Sequence, residues 1–239
     1  MRSAAEHSSQ HTGSFAGAAY GAGGWLGPAL EWLANDELVA FPTETVWGLA
    51  ARAESPRAFE RMRRWKGRED DRPVSVLVAG PESFEGLGAE LSAAARRLVR
   101  EFWPGPLTLV VRCRRALVPG VAGADGALGL RCSSHPVAAE LARAAQRRGL
   151  GPLTASSLNR TGDAPAQSRA AARLLCGQSH GATLLQLPGE AGGAAPSSVV
   201  DATRGELRVL REGAIPASTL LAGSRDAAHA TSDTGSDRR

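Results

Sequence analysis

The sequence is almost without lysine: Lys66 is the only one, and arginine supplies every other basic side chain. An ammonium is a compact point charge on a flexible stem, whereas a guanidinium is a planar fork, so the two are not interchangeable at a phosphate. The single lysine favours a contact between Lys66 and a polyphosphate. The alternative is a cation at a solvated helix end, where positive charge offsets the helix dipole.

Cysteine is scarce as well, and its pattern excludes two classes of protein. The three cysteines are odd in number and have no C-x-x-C spacing, which argues against both a disulfide framework and a zinc site. The five histidines are scattered along the chain and form no metal-ligand pair. We therefore expect no protein-bound metal and a reducing, cytoplasmic location.

Long apolar runs are also absent, which argues against a membrane-spanning helix, since a span needs about 20 such residues. Residues 1–24 lack the basic and apolar regions of a secretory signal, so we interpret them as a disordered extension. Residues 223–239 are small, polar and charged, which predicts a disordered tail after one domain at 25–222. A net charge of +4 and a pI near 9.6 suit an anionic ligand or a nucleic-acid contact.

The sequence contains no Walker A motif, no G-x-S-x-G elbow and no H-E-x-x-H helix. It does contain a series of short helices and strands. Ser55-Pro56 and Ser92 are typical helix starts, and Gly67 is a typical helix end. The pattern indicates an α/β domain with a twisted, mixed sheet and packed helices. Predicted helices cover 28–35, 55–65, 92–102, 135–148 and 167–175, and predicted strands cover 37–41, 74–79, 107–112, 127–131, 152–156, 183–187, 198–201 and 207–211.

Residues 41–49 read F-P-T-E-T-V-W-G-L and resemble the P-T-[ED]-T-[VL]-Y-G-L signature of the YrdC-like family, which includes the threonylcarbamoyl-AMP synthases. Collinear matches from about residue 28 to 216 are far more specific than any single one. The chain resembles the short form of the family, without an extra C-terminal domain. The further matching segments are Lys66-Gly67-Arg68 with Pro73, 103–108, 129–131 with His135-Pro136, 157–162, 196–201 and 210–215.

The resemblance implies a YrdC-like twisted mixed sheet with flanking helices around a concave cleft, and L-threonylcarbamoyladenylate synthase activity. Threonine and bicarbonate give an N-carboxy amino acid, whose carboxylate attacks the α-phosphate of ATP and expels pyrophosphate. This reaction begins N6-threonylcarbamoyladenosine formation on tRNA. It needs positioning and charge neutralisation rather than a covalent nucleophile. The implied partners are ATP with Mg²⁺ carried on it, L-threonine, bicarbonate, tRNA or double-stranded RNA, and downstream threonylcarbamoyl-transfer proteins.

The resemblance also assigns site residues, none of them a covalent catalyst or a metal ligand. Arg131 is the implied bidentate partner of the amino acid's carboxylate. Each assigned residue has an ordinary structural alternative as well, because short polar residues form turns and arginines pair with surface acids. The residues assigned to ATP are Lys66, Arg68, Thr108, Ser157, Asn159 and Arg211, and those assigned to L-threonine are Thr43, Arg131 and Ser197.

The sequence departs from the family's motifs at several positions; Thr161 for serine and Ser198 for threonine are mild changes, and four others bear on the pocket. Trp47 stands where the family usually has tyrosine, and Leu158 replaces the small alanine of S-A-N. Glu69 replaces the proline after K-G-R, and Leu77 stands where some relatives have histidine. We expect these changes to alter details of the pocket.

Two other functions are left open by the sequence. A non-catalytic module that binds structured RNA on the same fold is favoured by the basic pI and by the departures at Trp47 and Leu158. A carbamoyl-adenylate activity of hydrogenase-maturation type is less compatible with a chain of 239 residues. Threonine-dependent pyrophosphate release would distinguish both from the synthase.

Overall fold

A computed structural model describes residues 24–68, 73–123, 125–178, 182–193 and 195–222. Residues 1–23 of the predicted extension, the predicted tail at 223–239 and Glu69 lie outside these ranges. Within them, no helix is both long enough and apolar enough to cross a membrane. The helices are α1 (Leu26–Ala34), α2 (Pro56–Lys66), α3 (Ser83–Leu87), α4 (Ala93–Phe102), α5 (Pro136–Arg147), α6 (Arg169–Cys176) and α7 (Ala217–Leu221). The strands are β1 (Leu38–Phe41), β2 (Gly48–Ala50), β3 (Val76–Leu77), β4 (Ala89–Glu90), β5 (Leu107–Cys113), β6 (Ala127–Arg131), β7 (Leu153–Thr154), β8 (Ser156–Ser157), β9 (Leu184–Gln186), β10 (Ser198–Asp201) and β11 (Arg208–Arg211).

Local capping chemistry sets several helix boundaries. At the start of α2 the Ser55 hydroxyl accepts a hydrogen bond from Ala58 N at 3.2 Å. Ser92 caps α4 in the same way, through Ala95 N at 3.1 Å. Gly67 ends α2 with a φ of 62°, a left-handed conformation that glycine adopts without strain. The predicted helix starts and the predicted stop are confirmed.

The strands form two mixed sheets. The smaller sheet has the order β8-β2-β1-β9, with β1 parallel to β9 and antiparallel to β2. The larger sheet has the order β11-β10-β5-β6-β3-β7, and β4 pairs with the end of β5. Helices flank both sheets, so the predicted α/β class is confirmed. The division of the strands between two sheets is a feature that the sequence does not indicate.

The chain passes from one sheet to the other at Ala155. β7 ends at Thr154 in the larger sheet, and β8 begins two residues later in the smaller sheet. The prediction of one strand at 152–156 is therefore wrong. Thr154 Oγ1 donates to Leu49 O at 3.1 Å and accepts from Ala51 N at 2.9 Å. This buried hydroxyl holds the two sheets together at the crossing.

Short elements account for the other differences from the predictions. β2, α3, β4 and α7 are not predicted, because segments of two to five residues carry no readable periodicity. The predicted strand at 74–79 shortens to Val76–Leu77. The remaining elements begin and end within two residues of their predicted bounds.

Two apolar clusters fix the sheets in place. The larger cluster includes the fully buried indoles of Trp47 and Trp65. The second cluster packs α1 and α5 on the smaller sheet, with Leu33, Phe41 and Leu141 among its members.

Candidate functional site

A cleft of about 620 Å³ opens between the two sheets, and strands of both sheets line it. Lys66 and Asn159 are not part of the described lining. Both are buried next to Ser157, and Lys66 Nζ donates to Ser157 O. The cleft therefore brings together most of the residues that the sequence analysis selected. The seven predicted site residues that line it are Thr43, Arg68, Thr108, Arg131, Ser157, Ser197 and Arg211.

The register of the larger sheet places distant parts of the sequence in one row. Thr108 is paired with Arg131 on one side and with Val199 on the other. Val199 is in turn paired with Arg211. Because directly paired residues share a face of the sheet, the two arginines flank Thr108 and Val199 on the cleft side.

Ser197 connects this row to the chain just before β10. Its hydroxyl lies 2.9 Å from Thr108 Oγ1 and accepts from Arg211 Nη2 at 3.1 Å. Its carbonyl accepts from Nε and Nη2 of Arg211 at 3.1 and 2.8 Å. Burial lowers the pKa of Arg211, and the nearby charge of Arg131 lowers it further, but a guanidinium stays charged in proteins. The family resemblance assigns Ser197 to threonine, but Ser197 contacts Thr108 and Arg211, which the resemblance assigns to ATP.

The position of Ser197 depends on a close approach by Gly213. A Cβ at residue 213 would lie 2.3 Å from Pro196 O and 2.6 Å from the carbonyl carbon of Ser197. We expect Gly213→Ala to displace Ser197 with Arg211 and to weaken polyphosphate binding about tenfold, the value of one charged hydrogen bond. Calorimetry measures this affinity.

Gly205 offers a matched control for this substitution. It lies in the connection between β10 and β11, and a Cβ added there meets nothing within 4 Å. Gly205→Ala should leave the polyphosphate affinity unchanged. An unchanged affinity in Gly213→Ala as well would show that the close approach does not matter for binding.

Lys66 is buried at the end of α2, and its ammonium is engaged with one turn of the chain. Nζ donates to Ser157 O at 2.7 Å, and to O and Oδ1 of Asn159 at 3.0 and 3.4 Å. Burial lowers the pKa of Lys66 to about 8, with smaller contributions from the charges of Arg68 and Arg160. The ammonium thus faces the back of the Ser157 turn, while Arg68 is the cation of this motif that lines the cleft.

The side chain of Asn159 is used within the same turn. Its Oδ1 accepts from Ser157 Oγ at 2.5 Å, and its Nδ2 donates to Arg160 O at 2.7 Å and to Asp163 O at 2.9 Å. These bonds fit the turn-forming interpretation of Asn159. They hold Ser157 at the wall of the cleft.

Arg131 is a buried cation in the opposite part of the wall. Its Nη2 donates to Glu44 Oε1 at 2.5 Å and to Thr45 Oγ1 at 3.3 Å. Burial lowers the pKa of Arg131, while the charge and the hydrogen bond of Glu44 raise it. Its Nε is buried and has no hydrogen-bond partner among the described residues. A buried donor without a partner costs about 1–3 kcal/mol, so a ligand carboxylate that accepted from Nε would recover that energy.

The loop after β1 presents two threonine hydroxyls beside Arg131. Thr43 Oγ1 donates to Val46 O at 2.6 Å and lies 2.9 Å from Thr45 Oγ1. The single hydroxyl hydrogen of Thr43 is used within the loop. This hydroxyl can therefore accept a hydrogen bond from a ligand but cannot donate one. Gly192 N and Gly193 N donate to the carbonyls of Thr43 and Thr45, each at 2.9 Å, and cover the outside of the loop.

Glu44 and Ser133 belong to this wall but are not among the predicted site residues. Ser133 Oγ donates to Glu44 Oε2 and accepts from His135 N at 3.2 Å. Glu44 was visible as the only carboxylate of the 41–49 signature. Its partner Arg131 lies 87 residues away, and no local pattern connects the two.

The departures from the family motifs have unequal consequences. Leu158 is fully buried in the larger apolar cluster and is not part of the cleft lining, so its extra bulk is taken up by the core. Trp47 and Leu77 do line the cleft. The indole N–H of Trp47 is buried and has no partner among the described residues.

The described lining of the cleft combines arginines, hydroxyls and apolar side chains, and it contains no aspartate or glutamate. Convergent cations in a partly apolar cleft suit an anionic ligand that has an apolar portion, such as a nucleotide. The fold and the cleft define an α/β domain whose cation-lined cleft suits a nucleotide.

Comparison with known proteins identifies the family. The chain belongs to the Sua5/YciO/YrdC family, whose model, described as telomere recombination, matches residues 31–213. A protein of Mycobacterium tuberculosis (strain H37Rv) is 40% identical over 179 residues, which are 75% of this chain and 79% of the relative. Threonylcarbamoyl-AMP synthase of Chromohalobacter salexigens is 34% identical over 182 residues, which are 76% of this chain and 94% of the relative. The predicted family is confirmed.

A solved structure shows the same fold. The crystal structure of Pyrococcus abyssi Sua5 complexed with L-threonine matches with a TM-score of 0.73 at 30% identity. The match covers 81% of this chain and 55% of that one, so the chain spans about half the length of the archaeal protein.

Proposed function

We propose that this protein is an L-threonylcarbamoyladenylate synthase, which converts ATP, L-threonine and bicarbonate into threonylcarbamoyl-AMP and pyrophosphate. The observation that carries the proposal is the convergence of Arg68, Arg131 and Arg211 on one cleft that also presents hydroxyls from both sheets. The relative from Chromohalobacter salexigens is named for this activity, and Pyrococcus abyssi Sua5 was crystallised with L-threonine. These names support a catalytic function over the RNA-binding alternative.

The cleft can supply what the reaction needs without a covalent nucleophile. The carboxylate of N-carboxythreonine forms a bond to the α-phosphorus of ATP, and the bond from that phosphorus to the pyrophosphate oxygen breaks. Such a transfer is accelerated by positioning and by cations that neutralise the phosphate oxygens. We assign these tasks to Arg68 and Ser157 on one wall and to Thr108 and Arg211 on the other. Lys66 and Asn159 hold the Ser157 turn from behind, and Lys66 adds positive potential.

The amino acid is assigned to the neighbouring position. Arg131 donates to the carboxylate of L-threonine through the N–H groups that Glu44 and Thr45 leave free, and the hydroxyls of Thr43 and Ser197 face its side chain. A pocket that hydrogen-bonds the substrate hydroxyl rejects valine, because binding valine would leave those groups unpaired.

The other partners follow from the same assignment. A lining of cations and hydroxyls without a described carboxylate suits Mg²⁺ that arrives on ATP, where the ion neutralises phosphate charge. Bicarbonate supplies the carboxy group. We place the activity in the catalytic domain at 25–222 and in the cytoplasm. The product passes to downstream threonylcarbamoyl-transfer proteins that modify tRNA, and the net positive charge of the chain favours a contact with tRNA or double-stranded RNA.

Pyrophosphate release from ATP and bicarbonate, measured with and without threonine, tests the proposal. We expect release only when threonine is present. A folded sample that releases no pyrophosphate in the presence of threonine would reject the proposed synthase activity. Salt-sensitive binding of structured RNA without ATP turnover would then favour the RNA-binding module, and release that ignores threonine would favour a carbamoyl-adenylate activity.

The Lys66 pKa of about 8 predicts a dependence of ATP binding on pH. Below that pH the side chain is charged, and it loses its proton and its positive potential as the pH rises through that value. We expect the ATP affinity to weaken about tenfold between about pH 7.5 and about pH 9.5, as one charged hydrogen-bonding group is lost. Calorimetry with ATP alone avoids the titration of threonine's own amine. A constant affinity across this range would contradict the assignment of Lys66 to the ATP site.

A further inference from the structure

A chain of hydrogen bonds runs from the start of α5 to the wall of the cleft. His135 N donates to Ser133 Oγ at 3.2 Å, and Ser133 Oγ donates to one carboxylate oxygen of Glu44. The other carboxylate oxygen accepts from Arg131 Nη2 at 2.5 Å. Ser133 is 2% exposed, and the side chains of Glu44 and Arg131 are 17% and 7% exposed. Each oxygen of Glu44 thus has its own fixed partner.

Burial makes this chain of contacts difficult to rearrange. A buried charge without its partner costs several kcal/mol, so Arg131 cannot leave Glu44 without a large penalty. Glu44 cannot rotate without breaking its bond to Ser133. Its backbone is also confined, because a Cβ at Gly192 or Gly193 would lie 3.1 or 3.0 Å from Glu44 O.

The fixed pair determines which donors of Arg131 remain for a ligand. The two hydrogens of Nη2 are directed to Glu44 and to Thr45. The two hydrogens of Nη1 and the one of Nε are used by neither residue, and Nε is fully buried. A bidentate contact that included Nη2 would require Nη2 to give up one of its bonds. The geometry favours a ligand carboxylate that accepts from a donor of Arg131 other than Nη2.

We propose that Ser133 and Glu44 are positioning residues for the amino acid: Ser133 orients Glu44, and Glu44 holds the guanidinium of Arg131 so that its remaining N–H donors serve the substrate carboxylate. Glu44 acts through Arg131, because it is not part of the described cleft lining although Thr43 and Thr45 on either side of it are. The identity of the ligand as threonine rests on the proposed function. The dependence of carboxylate binding on Ser133 does not rest on the proposed function.

Ser133→Ala tests this inference, because it removes the hydroxyl and keeps both charges of the pair. We expect threonine binding, measured by calorimetry, to weaken about tenfold, as one hydrogen bond to a charged group is lost. The KM for threonine should rise by the same factor. The KM for ATP and kcat should stay within about twofold, because the substitution acts only on the carboxylate contact.

Two more variants separate positioning from a general effect on the fold. Ser133→Thr keeps a hydroxyl and should restore most of the threonine affinity. Glu44→Asp keeps the charge but shortens the side chain by one methylene. It should weaken threonine binding as Ser133→Ala does. With both variants, the inference stays testable if one of them folds poorly. Glu37→Gln is the matched control, since it removes a half-buried ion pair with Arg61 that lies outside the cleft lining. It should leave threonine binding unchanged.

The possible results distinguish this inference from the proposed function. Threonine binding that is unchanged in both Ser133→Ala and Glu44→Asp, or a KM for ATP that rises as much as the KM for threonine, would overturn the positioning role. Absence of threonine binding in the wild-type protein would overturn it too. Wild-type protein that binds threonine in a Ser133-dependent way but releases no pyrophosphate would reject the synthase and keep the positioning role.

Discussion

Lys66→Met should lower kcat/KM for threonine-dependent pyrophosphate release by about a hundredfold or more, the scale seen when one preorganised donor is removed from a charge-stabilising site. Methionine nearly matches the length of the lysine stem but donates no hydrogen bonds. The carbonyls of Ser157 and Asn159, at 2.7 and 3.0 Å from Nζ, lose their donor. The turn that carries Ser157 into the cleft then loses its fixed shape and its positive potential. Steady-state kinetics with ATP as the varied substrate measure the effect.

Arg64→Ala is the control for this substitution. Arg64 lies in the last turn of α2 and pairs with Glu60 at 2.9 Å across one helical turn. The pair is exposed, and exposed pairs of this kind contribute only about 0.3–0.5 kcal/mol. We expect Arg64→Ala to keep normal activity and thermal stability. Near-normal activity of Lys66→Met would contradict the assignment of the ammonium to the ATP site.

Local chemistry explains why much of the fold could be predicted. Ser55, Ser92 and Gly67 act within a few residues of their own positions, and the structure shows the same caps and the same stop. β6 at Ala127–Arg131 and β10 at Ser198–Asp201 have the predicted bounds. In β10 the adjacent β-branched residues Val199 and Val200 favour a strand.

The pairing of strands depends on contacts that no local pattern encodes. Thr154 bonds to Leu49 and Ala51 across more than 100 residues, and this contact joins the two sheets. The segment 152–156 is predicted as one strand because no glycine or proline lies between Leu153 and Ser156 to mark a break. Only the positions of its two partner strands decide that β7 and β8 belong to different sheets.

The motif resemblance selects most of the cleft residues but does not indicate how they interact. The structure places seven of the nine selected residues in the cleft lining. It also shows that Lys66 bonds to a turn 91 to 93 residues away, and that Ser197 joins Thr108 to Arg211. The location of a residue in the cleft was predictable where the motif names a residue type. Partners were not predictable where the fold alone brings two segments together, as for Glu44 and Arg131.

Arg131→Lys should raise the KM for threonine about 10- to 100-fold, the cost of losing a hydrogen bond to a carboxylate, while the KM for ATP stays within about twofold. Lysine keeps the charge that Glu44 requires, so the buried pair persists and the fold is retained. It has no planar fork and no donor at the position of Nε. Steady-state kinetics with threonine and ATP varied in turn measure the two constants.

Arg112→Lys gives the matching control, because Arg112 lies on β5, pairs with Asp125 at 3.8 Å and is not part of the described cleft lining. It should leave both constants unchanged. If Arg131→Lys left the KM for threonine unchanged, a point charge at this position would be sufficient and the further N–H donors of the guanidinium would not be the carboxylate contact. If the KM values for threonine and for ATP rose together, Arg131 would contribute to the binding of both substrates, near Ser197, rather than to the amino acid alone. A selective rise for threonine is the result that assigns Arg131 to the amino-acid carboxylate.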